Sequence, residues 1–117
     1  MIKFARPKFN KTVIKKIKSV VDSGVFVHGP KTVEFEKKLS KFFKLKNNNI
    51  LSTASCTASL HLFYLSIGLK KNDEVIMSAQ THVATAHAVE ACGAKPVFVD
   101  CELKTGNIDI TKIKKAI

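Results

Sequence analysis

Tryptophan is absent and tyrosine occurs once among the 117 residues, so eight phenylalanines carry nearly all the aromatic character. The basic groove interleaved with aromatics that single-strand nucleic-acid binders use is therefore missing. Arginine is confined to Arg6, although Lys and Arg together number 20. Sequence-specific DNA readers depend on arginine's paired contacts to guanine, so the net charge of +11 reads as a solvated lysine surface and no nucleic-acid partner is expected. Cysteine is scarce: Cys56, Cys92 and Cys101 make an odd set without CxxC spacing, which excludes a disulfide framework or zinc ribbon and predicts reduced thiols. The four histidines are scattered with no paired-ligand spacing, and no metal site is expected. No apolar run approaches the roughly 20 residues of a membrane span, and no apolar block follows the first positive charges. The expectation is a cytoplasmic protein without a membrane partner. Only three prolines and five glycines are present, placed where turns are wanted, and no linker, repeat or low-complexity tract is visible.

A hydrophobic share of 45% and a charged share of 25% describe a core-forming chain long enough for one domain. Val13, Ile14, Ile17, Val20 and Val21 recur at spacings of three and four, predicting a helix over 11–22 that Gly24 stops. Pro30 suits the start of a second helix carrying Val33, Phe35, Leu39, Phe42 and Phe43. A turn at 47–49 then introduces a different pattern. Ile50-Leu51-Ser52 reads as a strand, a small-residue turn follows, and Ala58, Leu60, Leu62, Phe63 and Leu65 form a helix up to Gly68. The unit repeats with a strand at 74–77, an alanine-rich helix over 81–91, a strand at 96–99, a loop over 100–107 and a helix capped by Asp109. Strands alternating with helices imply an α/β fold with a mostly parallel sheet. Residues 1–46 are read as an amino-terminal helical segment, and 47–117 as the start of the α/β domain.

Two βα turns are candidate sites. In 52–60, nine small or short-chain residues follow a strand and open a helix, where unpaired N–H groups and the helix dipole favour a phosphate. An ordinary Ser/Thr cap is the competing reading of the same residues. In 78–87, at the carboxyl end of the next strand, His82 offers a flat ring for stacking on a heterocycle, against the alternative of a helix-capping histidine. His28 and His61 read as turn and helix-surface residues. Cys56 has no base that the sequence places beside it and reads as a small-residue stand-in.

Five blocks in order, Gly29 with Val33-Glu34-Phe35-Glu36, 55–60, Gly68 with 72–76, 80–85 and 93–100, resemble the DegT/DnrJ/EryC1/StrS family of pyridoxal-phosphate-dependent sugar aminotransferases. The resemblance implies the amino-terminal part of a fold type I large domain, mostly parallel sheet with flanking helices. It implies pyridoxal 5'-phosphate as cofactor, with Thr57 and Ala58 at its phosphate and His82 on its ring. Cys56 departs from the glycine or other small residue usual before the threonine. The family's Schiff-base lysine is expected beyond residue 117, so no catalytic residue is assigned here and the fragment alone is expected to be inactive. The implied reaction moves an amino group from an amino acid, glutamate for preference, to a keto group of a nucleotide-linked sugar, in a protein whose complete form is a homodimer. A sugar dehydratase of the same family, and a non-catalytic basic α/β binding module, are the alternatives.

Overall fold

Asn10 begins the first regular element for a simple reason: its side-chain oxygen accepts from the Val13 N–H at 3.0 Å, supplying one of the acceptors a helix start lacks. The computed structural model describes residues 5–46 and 49–117. The expected turn at Asn47 and Asn48 lies outside the described residues. The chain divides into two compact units, Met1–Ser52 and Thr53–Ile117.

In the first unit, α1 spans Lys11–Ser23 and ends where Gly24 adopts a left-handed φ of 67°. α2 spans Pro30–Phe42 with proline in its first turn, as the sequence predicts. Lys31 and Lys38 both pair with Glu34 across the exposed side of α2, at 2.9 and 2.6 Å. These two contacts, through their hydrogen bonds first and their charge second, hold the Glu34 carboxyl down to about 2 from the usual 4.5. Glu36 behaves differently, since its Oε1 accepts from the Ser52 backbone N–H at 2.8 Å.

The second unit is built around two parallel strands, β1 (Glu74–Ser78) and β2 (Lys95–Val99), in register from Glu74 opposite Lys95 to Ser78 opposite Val99. α3 (Cys56–Ser66) precedes β1, α4 (Val83–Glu90) connects the strands, and α5 (Ile110–Ala116) follows β2. A strand, a helix and a parallel strand form the βαβ unit that the sequence pattern implies. α3 packs on α4, while α4 and α5 pack on β2. Met77, Ala86, Val89 and Ala94 form the core, flanked by Tyr64, Leu69 and Val75. Alanines at Ala86 and Ala88 let α4 approach closely, which accounts for its small-residue composition.

Beyond shifts of a residue at some element ends, two departures from the sequence reading bear on the site. Ile50-Leu51-Ser52 forms no ladder: β1 and β2 pair with each other, and the Ser52 N–H that a neighbouring strand would need goes to the Glu36 carboxylate. α4 begins at Val83 and not Thr81, because His82 serves as its cap.

Candidate functional site

The segment from Thr53 to Ser59 is fixed by its own hydroxyl groups. Ser55, in extended conformation, caps α3 by accepting from the Ala58 N–H at 3.1 Å. Its carbonyl accepts from the Ser59 N–H at 3.1 Å and from the Thr53 hydroxyl at 3.0 Å, and the Thr53 and Ser59 hydroxyls bond to each other. Among the described residues, the N–H groups of Cys56 and Thr57 and the Thr57 hydroxyl have no partner. No acidic side chain sits in the first turn of this 11-residue helix. Two converging N–H dipoles, a hydroxyl and the positive end of the macrodipole are what a dianionic phosphate requires. The Ala58 N–H already serves the cap, so it becomes available to an anion only when the Ser55 hydroxyl turns away.

His82 occupies the N-cap of α4, and its Nδ1 accepts from the Ala84 N–H at 3.1 Å. The capping role that competes with the stacking role is therefore present. The side chain remains exposed. Thr57, Ala58 and His82 all lie in the first turns or cap of α3 and α4, two helices packed on each other, but no hydrogen bond links them among the described residues.

The turn between β1 and α4 is braced by the loop that follows the parallel neighbour β2. Gln80 Oε1 accepts from the Cys101 thiol at 3.4 Å, and a Cβ placed on Gly106 would come within 3.3 Å of the same oxygen. Asp100 anchors the loop that brings these residues in: it accepts from Lys112 at 2.8 Å and from its neighbour's N–H at 2.9 Å. Hydrogen bonding to Lys112 first, then the Cys101 N–H, lowers the Asp100 pKa, and the same contact raises that of Lys112. Residue spacing does not reveal the Gln80 brace, whose partner Cys101 lies 21 residues on. Two buried hydroxyls, Ser52 Oγ and Ser78 Oγ, lack partners among the described residues.

A helix start with two unspent amides, on a helix packed against the one that His82 caps, is consistent with the five sequence blocks, and comparison with known proteins decides the family. Residues 7–117 match the DegT/DnrJ/EryC1/StrS aminotransferase family. The chain belongs to that family. Its relatives include the 3-oxo-glucose-6-phosphate:glutamate aminotransferase of Bacillus subtilis, 37% identical over 90% of this chain and 23% of the relative. The UDP-2-acetamido-2-deoxy-3-oxo-D-glucuronate aminotransferase of Pseudomonas aeruginosa is 37% identical over 86% of this chain and 28% of the relative. The crystal structure of NtdA from Bacillus subtilis with bound PMP superposes with a TM-score of 0.80 at 36% identity, over 90% of this chain and 24% of that one. The chain thus spans less than a third of the length of the curated relatives it matches. The fold is that of the α/β pyridoxal-phosphate aminotransferases, and family members hold the cofactor as PLP or PMP. With no partner among the described residues, the Cys56 and Thr57 amides have the donor chemistry that the phosphate of such a cofactor needs.

Proposed function

We propose that these residues form the phosphate- and ring-binding part of a pyridoxal-phosphate-dependent aminotransferase, which transfers an amino group from glutamate to a keto group of a nucleotide-linked sugar. The observation that carries this reading is that, among the described residues, the N–H groups of Cys56 and Thr57 and the Thr57 hydroxyl have no partner. The glutamate donor follows the name of the Bacillus subtilis relative, and the nucleotide-linked keto sugar that of the Pseudomonas aeruginosa one. Bound cofactor supplies an electron sink for charge that develops on the amino-bearing carbon. The residues of this chain bind and orient. The α3 amides and Thr57 hold the phosphate, with the Ala58 amide joining when the Ser55 hydroxyl rotates, and the His82 ring covers one face of the heterocycle. In this reading the stretch 47–117 belongs to the cofactor-binding large domain, and the enzyme acts as a homodimer.

Pyridoxal phosphate binding tests the reading directly. The protein that carries these residues is expected to bind the cofactor, measured by equilibrium dialysis, and Thr57→Val is expected to weaken binding about tenfold through loss of one hydrogen bond to a charged group. Phosphate-free pyridoxal should bind weakly to both proteins and show no difference between them. Equal affinity of wild type and Thr57→Val for pyridoxal phosphate would remove the cradle from the proposal.

A further inference from the structure

The first unit contains three acidic residues, Asp22, Glu34 and Glu36, among thirteen basic ones. Asp22 pairs with Lys18, and Glu34 pairs with Lys31 and Lys38. Glu36 is different: on a lysine-rich helix, with Lys37 next to it, it forms no ion pair among the described residues. Its half-buried carboxylate turns to the same side of α2 as the buried Ser40, one turn on, and accepts from the Ser52 N–H across 16 residues of sequence. A carboxylate accepting from a backbone N–H makes a stronger bond than a neutral acceptor would. Ser52 is the last residue of its unit, and the hydroxyl network that shapes the cradle begins at the next residue, Thr53.

We infer that Glu36 is a positioning residue for the phosphate cradle: its carboxylate fixes the backbone at Ser52, and so the entry of the chain into the turn that leaves the Cys56 and Thr57 amides open. The physical content is local. Ser52 has no strand ladder to hold it, so its N–H has one protein partner and that partner is Glu36. Without it, Ser52 gains rotational freedom five residues before Thr57, and the Thr53 hydroxyl loses the fixed backbone from which it reaches the Ser55 carbonyl. The fixed entry lowers the ordering cost of anion binding without touching the anion. Thr53, Ser55 and Ser59 then act on a segment already held at one end.

The inference rests on the proposed cofactor site, and its test separates the two. Pyridoxal phosphate affinity is measured by equilibrium dialysis for wild type, Glu36→Ala, Glu36→Gln and Glu34→Ala, with thermal unfolding recorded for each. Wild type that fails to bind sinks the cofactor reading itself. Given wild-type binding, Glu36→Ala is expected to weaken it roughly three- to tenfold, the effect of one hydrogen bond. Glu36→Gln keeps an oxygen acceptor and should stay within about twofold of wild type. Glu34→Ala removes an equal charge from the same helix and should leave affinity unchanged. Unchanged affinity in Glu36→Ala overturns the inference, as does an equal loss in Glu36→Ala, Glu36→Gln and Glu34→Ala, which would mark a general charge effect. Should Glu36→Ala not fold, Glu36→Asp, with its oxygens drawn back by one methylene, is read in its place with the same expected loss and the same overturning result.

Discussion

At the residue scale, His82 carries two roles that mutation can separate. Its Nδ1 caps α4 through the Ala84 N–H, and the exposed ring is proposed to cover the cofactor. Asparagine is among the best helix caps but has no ring, whereas phenylalanine keeps a flat ring and loses the cap. His82→Asn should therefore keep wild-type stability and bind pyridoxal phosphate about three- to tenfold more weakly, the scale of one aromatic stacking contact. His82→Phe should bind close to wild type and lose about 1 kcal/mol of stability, as a missing cap does. Equal cofactor affinity in the two variants would leave His82 as a cap alone, with titration and thermal denaturation as the measurements. The positions of Thr57 and His82 at helix starts are legible in the sequence, because small residues after an apolar run, and a polar residue at the next such turn, mark such starts. Glu36 was not, because a contact across 16 residues leaves no periodic trace.

At the scale of elements, the helices and the two paired strands follow from apolar spacing and caps. α1 and α2 start at Lys11 and Pro30, and α5 follows Asp109, whose side chain accepts from the Thr111 N–H. Apolar pattern alone misplaces 50–52, because a strand is defined by a partner and Ile50-Leu51-Ser52 has none among the described residues. The connection between α1 and α2 depends on a close approach that spacing does not reveal. A Cβ on Gly29 would lie 2.9 Å from Val25 Cγ1 and 3.3 Å from the Val25 carbonyl oxygen, although the φ of Gly29 is an ordinary −78°. The glycine there answers to space and not to backbone angle. Gly29→Ala should cost about 1–2 kcal/mol by overpacking. In a Val25→Ala background, where the nearer obstacle is gone, most of that cost should vanish. Chemical denaturation of the four proteins of this double-mutant cycle measures the coupling, and additive effects would show that the clash is relieved elsewhere.

At the scale of the whole molecule, charge is divided as sharply as structure. The unit Met1–Ser52 holds thirteen basic and three acidic residues, and Thr53–Ile117 holds seven and six, so nearly all of the +11 belongs to the first unit. Taken along the chain, the lysines look evenly solvated, and only the division at Ser52 shows the imbalance. Like charges at this density oppose compaction of the segment that carries them, and dissolved ions screen exposed pairs beyond about 10 Å at 0.1 M salt. Repulsion among many distant lysines is screened more than the contact pairs of Glu34 at 2.6 and 2.9 Å. Added sodium chloride should therefore raise the unfolding temperature near neutral pH. The acid limb has a defined sign. A carboxyl held below its unfolded value stabilises the fold above that value and loses its contribution as pH falls through the folded one. Glu34 acts from about 4.5 down to about 2, and it keeps its charge among Lys31 and Lys38 over a range in which an ordinary glutamate is neutralised. A side-chain carboxyl titration followed by NMR should give Glu34 a midpoint near 2 in low salt, and Lys38→Met should move it upward, since the Lys38 hydrogen bond is the largest cause of the shift. A salt-independent unfolding temperature would mean that the lysines of the first unit are held too far apart to repel, and an unmoved Glu34 midpoint in Lys38→Met would transfer its stabilisation to Lys31.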